Sequence, residues 1–291
     1  MSYKHITAGV RLLEQDCKYN SRAKFYPRSD GSLKLVEEMY CNRFIFNPDN
    51  VSLAKSERRL RHEEFKEILK EEYGVNQHHV KNEPDPRDNV ERSRRRAKNK
   101  IFDLIRCNEF KYFVTLTFNP DIIDSFDYNA VVKKINSYLG NRVRRNGLCY
   151  VGVPEKHKSG RFHFHFLCNN VLHLVHSGTY IRPAGGKPVK ADTCRKQGVN
   201  IEDCKSVYNI VDWSLGWSTA IELYGDINAV ANYVGKYITK ASDKVGGRWY
   251  YSGGDLVKPI FRYDRVSFND CDFDYMYDCD GGKFKIKRFD T

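Results

Sequence analysis

The chain has no apolar stretch approaching the length of a membrane span, and Met1-Ser2-Tyr3-Lys4-His5 leads into no apolar leader segment. No membrane partner is therefore expected, and the expected location is the cytoplasm, where a DNA substrate in a bacterial host would be directly accessible. The nine cysteines are odd in number and contain no Cys-x-x-Cys pair, which argues against a disulfide framework and for reduced thiols. There is no internal repeat and no low-complexity tract. A Gly-x-x-x-x-Gly-Lys-Ser/Thr run is also missing, so no helicase module driven by nucleotide hydrolysis is expected. Negative charge is in short supply: 37 Asp and Glu face 49 Lys and Arg, leaving a formal net charge of +12.

What is present fits a binder of phosphate backbones. The 291 residues suffice for one large domain or two modest ones, and 13% of them are aromatic. Cations displace counterions from nucleic acid, and rings offer surfaces on which bases stack. Six cations fall within the nine residues from Arg92 to Lys100, namely Arg92, Arg94, Arg95, Arg96, Lys98 and Lys100. Ile101, Leu104 and Ile105 follow at helical spacing, so a basic turn leading into a docked helix is expected. A second cluster, Arg142, Arg144 and Arg145, decorates a helix whose apolar stripe is Val131, Ile135, Tyr138 and Leu139. Both clusters are candidate DNA contacts.

The most informative segment is Arg161-Phe162-His163-Phe164-His165-Phe166. Successive side chains of a strand point to opposite faces, so His163 and His165 share one face and the three phenylalanines the other. Packed rings beneath would stiffen the strand, and the two imidazoles would project side by side as ligands for one metal ion. If Lys158-Ser159-Gly160 forms the hairpin loop to the preceding strand, Glu155 lies directly across from His163 and adds a carboxylate. A loop one residue shorter would spoil that pairing, and His157 is the reserve candidate. Tyr112 to Phe118 reads as a further strand with Thr115 and Thr117 on one face, which suits a face meeting solvent or a DNA substrate.

Asp226 to Lys240 reads as a helix capped by Asp226. Its aliphatic stripe (Ile227, Val230, Ala231, Val234, Ile238) fills one arc about 100° wide, while Tyr233, Lys236, Tyr237 and Lys240 fall in another centred about 120° away. Tyrosines buried for packing would sit in the apolar arc. Phenols held beside a metal and lysines can instead act as nucleophiles on a phosphodiester. Residues 169 to 212 read as irregular, with His173, His176, Cys194 and Cys204 scattered in a spacing that matches no common zinc module. One helix is also expected from Leu53 to Tyr73, and the Pro84-Asp85-Pro86 break is the best boundary.

Thr-Leu-Thr in a strand, then His163-Phe164-His165, then Tyr233-x-x-x-Tyr237 on a helix resembles the HUH endonuclease superfamily. The likeness is greatest to two-tyrosine rolling-circle replication initiators of phages and plasmids, and covers about residues 92 to 260. It implies an α+β fold, a five-stranded antiparallel sheet of RNA-recognition-type topology with packed helices, here in residues 91–265. An N-terminal extension (1–90) and a C-terminal tail (266–291) lie outside it. It implies Mg2+ or Mn2+ on His163, His165 and Glu155, and tyrosine attack that nicks an origin strand, forms a 5′-phosphotyrosine and later rejoins ends. Single-stranded or cruciform origin DNA and a host replication helicase or polymerase would be its partners. Rival readings are a transposase or relaxase of the same superfamily, or a noncatalytic single-strand binder. Relaxases usually place the tyrosine before three histidines, the reverse of the order here.

Overall fold

Two antiparallel sheets and four helices account for the ordered elements. A computed structural model describes residues 19–45, 86–156, 160–224, 227–240, 244–264, 273–279 and 282–289. The helix expected at Leu53 to Tyr73 lies outside these residues. The elements run β1 (Tyr19–Pro27), β2 (Leu33–Ile45), α1 (Pro86–Cys107), β3 (Tyr112–Phe118), α2 (Tyr128–Asn146), β4 (Tyr150–Lys156) and β5 (Phe162–Cys168). They continue with β6 (Leu174–Ile181), β7 (Val189–Lys190), α3 (Ala191–Lys196), β8 (Lys205–Ile210), β9 (Gly216–Glu222), α4 (Ile227–Lys240) and β10 (Tyr251–Gly253). The last three strands are β11 (Ile260–Asp264), β12 (Tyr275–Cys279) and β13 (Gly282–Arg288). The class is α+β, as expected.

The chain divides into a unit of residues 86–258 and a unit drawn from both ends, 1–85 with 259–291. The five-stranded antiparallel sheet belongs to the second, in the order β11-β1-β2-β13-β12. Residues read from the sequence as a C-terminal tail thus supply two of its strands, β12 and β13, with Lys285 opposite Tyr40 and Ile286 opposite Met39. Val36, Met39 and Tyr26 are its buried side chains among the described residues.

The unit of residues 86–258 carries eight strands in the order β10-β4-β5-β3-β9-β8-β6-β7. The stretch expected to be irregular contributes β6, β7 and β8. Its alternation is concealed by a register shift between His176 and Thr179 and by mostly half-exposed side chains. Helix α1 opens on Pro86, whose fixed φ and missing N–H suit a first helical turn. It runs unbroken through the basic segment, where the sequence suggested a turn.

The sheet's two faces carry separate cores. Val114, Leu116, Phe118, Phe162, Phe164 and Phe166 pack on one face against Val131, Ile135 and Leu139 of α2. Each such side chain contributes about 1.5–3 kcal/mol of burial free energy. Asp127 caps α2 by accepting from the Asn129 and Ala130 amides, and Gly147 closes it in the left-handed conformation (φ 67°). On the other face Val151, Val153 and Leu167 pack against Ile101, Leu104 and Ile105 of α1 and Ala231 and Val234 of α4. Gly152 lies between these valines at a close approach: a Cβ there would overlap the His165 carbonyl oxygen. The face bearing α1 and α4 is the one the histidines share.

Candidate active site

Strand register assembles the site. Glu155 pairs with His163 and Val153 with His165 across β4 and β5, the register expected from a loop centred on residue 159. Across β5 and β3, His163 pairs with Thr117 and His165 with Thr115. Directly paired residues present their side chains on the same face, so Glu155, His163 and Thr117 form one row and Val153, His165 and Thr115 the next. Beneath them Phe164 and Phe166 stack at 6.0 Å between ring centroids, and Phe118 meets Phe164 edge-on at 6.2 Å. The phenylalanines thus form the rigid bed that the alternation implied.

Each imidazole is oriented through Nδ1. The Thr115 hydroxyl lies 3.0 Å from His165 Nδ1 and the Thr117 hydroxyl 3.3 Å from His163 Nδ1. His165 Nε2 lies 2.7 Å from Glu155 Oε2. His165 is buried, and burial holds its pKa below the ordinary histidine value, against the opposing pull of Glu155. The neutral ring is the form that binds a metal. A threonine hydroxyl can donate to Nδ1 while Nε2–H donates to the carboxylate, or accept from Nδ1–H when Nε2 is a ligand. The donor set therefore suits a divalent cation. Two ligands in adjacent octahedral positions about 2.1 Å from an ion lie about 3 Å apart, close to the His165–Glu155 separation. Among the described residues no three His, Cys, Asp or Glu side chains are already grouped around one point, so His163 joins this pair by strand position.

Helix α4 brings a tyrosine to the same face. The Tyr233 ring meets Phe113 edge-on at 5.4 Å, and Phe113 stacks on His165 at 5.7 Å. Tyr233 is 47% exposed although its neighbour Val234 is buried. Tyr237, Lys236 and Lys240 lie on the same helix, and their side chains fall outside the described residues. Gly235 permits a close approach to α1: a Cβ there would come within 3.1 Å of the Phe102 ring and 3.4 Å of Lys98 Cε. Lys98 is thereby held along the tyrosine helix. Phe113, which couples the tyrosine to the histidine, was not singled out from sequence; its position one residue before Val114, in strand alternation with Thr115, was the available signal.

The two basic clusters separate. On α1, Arg92, Arg95 and Arg96 are exposed, while Arg94 contacts Glu91 at 3.1 Å and lies over the Trp249 ring at 5.2 Å. This helix shares the histidine face. Arg142, Arg144 and Arg145 end α2 on the opposite face. Arg142 is ion-paired to Asp212 at 2.6 Å, and Arg144 and Arg145 stand in the last turn, where cations complement the helix dipole. Cys194 and Cys204 approach to 3.9 Å between sulfurs, but His173 pairs with Asp212 and His176 packs on Tyr180 and Tyr208. His157 lies outside the described residues.

Residues 111–242 match the model of a family of replication-associated proteins, the ORF2 type. This segment is similar to replication-associated proteins. It is somewhat under half of the chain, and runs from the start of β3 to just beyond α4, taking in Glu155, both histidines and both tyrosines. The likeness supports a role in replication and DNA as a partner. No curated protein and no solved structure gives a significant match. Among the described residues, no helix is long and apolar enough to cross a membrane.

Proposed function

We propose that the unit of residues 86–258 is a metal-dependent DNA nicking and joining enzyme of the HUH type, acting to initiate rolling-circle replication. The observation that carries this reading is the meeting of Glu155, His163 and His165 on one sheet face with Tyr233, linked through Phe113. His163, His165 and Glu155 would hold Mg2+ or Mn2+, which when bound would polarise the scissile phosphate. The Tyr233 or Tyr237 oxygen attacks phosphorus and loses its proton. The bond to the 3′ oxygen breaks, that oxygen takes up a proton, and a 5′-phosphotyrosine forms. A 3′-hydroxyl later attacks this linkage and releases the tyrosine, so phosphodiester bonds are conserved. Lys236 and Lys240 are assigned to charge stabilisation near the phenol and phosphate. A host helicase and polymerase would extend the freed end, since the chain has no helicase motif of its own.

Thr115 and Thr117, expected from the sequence to contact DNA, are assigned here to orienting the imidazoles. Thr115→Val should weaken Mn2+ affinity about 10- to 100-fold and leave single-strand affinity unchanged. Nicking rate against Mn2+ concentration checks this: a raised half-saturating concentration with an unaltered plateau is expected.

DNA contact is assigned to α1. Neutralising Arg92, Arg95 and Arg96 together should flatten the slope of log affinity against log salt by about 2 to 3 units. Neutralising Arg144 and Arg145 should leave the slope nearly unchanged. Fluorescence anisotropy of a labelled single-stranded origin oligonucleotide across a salt series reads both. Equal effects from the two sets would overturn the assignment.

A further inference from the structure

The row that begins with Glu155 does not end at Thr117. Thr117 pairs on its other side with Trp217 of β9, so Glu155, His163, Thr117 and Trp217 stand in line across four strands on one face. Trp217 is 60% exposed, whereas Trp213 and Trp249, the other two tryptophans, are 4% and 6% exposed. Its strand neighbours Ser218 and Ala220 are buried on the opposite face, which fixes the indole on the histidine side. Trp213 donates its indole N–H to the Thr117 carbonyl at 3.3 Å and packs on Phe118 and Tyr138. This anchors the turn between β8 and β9 to β3, so the backbone carrying Trp217 is held in place.

We infer that Trp217 is a stacking platform for a nucleobase of the single strand whose phosphate lies at the histidines. This rests on the nicking reading above and names one contact by which the strand is held. Two strand spacings of about 4.8 Å separate Trp217 from His163, a distance spanned by two or three nucleotide steps of about 3.4 Å. Every base presents a π face, so an exposed indole beside a phosphate site recognises a strand without reading its sequence. The other exposed aliphatic on this face is Val175, paired with Asn209 of β8 beyond β9, which leaves the indole as the aromatic surface next to Thr117.

The test uses the full chain and oligothymidylate, with two readouts. Anisotropy of end-labelled oligonucleotide reports binding, and tryptophan emission with unlabelled oligonucleotide reports contact at Trp217. The expected result is quenching of the exposed tryptophan on binding, lost in Trp217→Phe, because the two remaining indoles are buried. Trp217→Ala should weaken binding about 5- to 150-fold and Trp217→Phe less, with unchanged thermal melting. Binding by anisotropy with no change in emission, and unaltered affinity in Trp217→Ala, would overturn the platform and leave the nicking reading standing. Absence of any binding by the unmodified chain would overturn both.

Discussion

Replacing Tyr233 and Tyr237 together by phenylalanine is expected to abolish nicking of single-stranded origin DNA, a fall of more than about 10^3-fold, while DNA affinity changes little. Phenylalanine preserves the edge-on contact of residue 233 with Phe113, so the helix should dock as before. Each single Tyr→Phe variant should retain partial nicking, because residues one turn apart on a helix share a face and either phenol can reach the same phosphate. Replication of a plasmid carrying the origin should fail in both single variants if the second tyrosine closes the circle. One single variant wholly inactive in nicking, with the other normal in replication, would make this a one-tyrosine enzyme.

The second large effect concerns the histidines. His163→Ala and His165→Ala should each reduce cleavage on the order of 10^3-fold, since the cation's hold on the phosphate is lost. Binding should change little because it depends on the cations of α1. The fold should survive: β5 is fixed from beneath by Phe164 and Phe166, and the lost contacts of His165 are two hydrogen bonds and one ring stack. Removing a chelatable metal with EDTA should reproduce the loss in the unmodified chain, and Mn2+ should restore it. A collapsed melting transition in both variants would show the histidines to be packing residues. Full cleavage in both would move the chemistry elsewhere and favour a noncatalytic single-strand binder with a contaminating nuclease.

The parts of this site that were legible in the sequence are those governed by local geometry. His163 and His165 lie two residues apart on one strand, and Glu155 reaches them through a short hairpin, so alternation and loop length alone give the Glu155–His163 pair. The separation of Tyr233 from the aliphatic stripe of α4 follows in the same way from helical period, and the buried Ala231 and Val234 agree with it. What depends on pairing between distant segments was not legible. Thr117 meets Trp217 only because β9 returns beside β3, a pairing across about a hundred residues that no local pattern encodes. Likewise the strands at residues 275–279 and 282–288 find their partner in β2, so an acidic stretch that reads as a tail is part of a sheet. The assignment of Arg142 as a DNA contact illustrates a third limit. Charge clustering cannot distinguish a cation facing DNA from one paired to Asp212 at the end of a helix.

The central claim is a covalent one, and covalent capture tests it most directly. The full chain, incubated with Mn2+ and a radiolabelled pool of random single-stranded oligonucleotides, should become labelled through a bond stable to denaturant. Mass spectrometry of its peptides should place the 5′-phosphate on Tyr233 or Tyr237, and chelation or loss of both tyrosines should remove the label. Label on another residue, or binding of the pool with no covalent product under any divalent metal, would contradict the account.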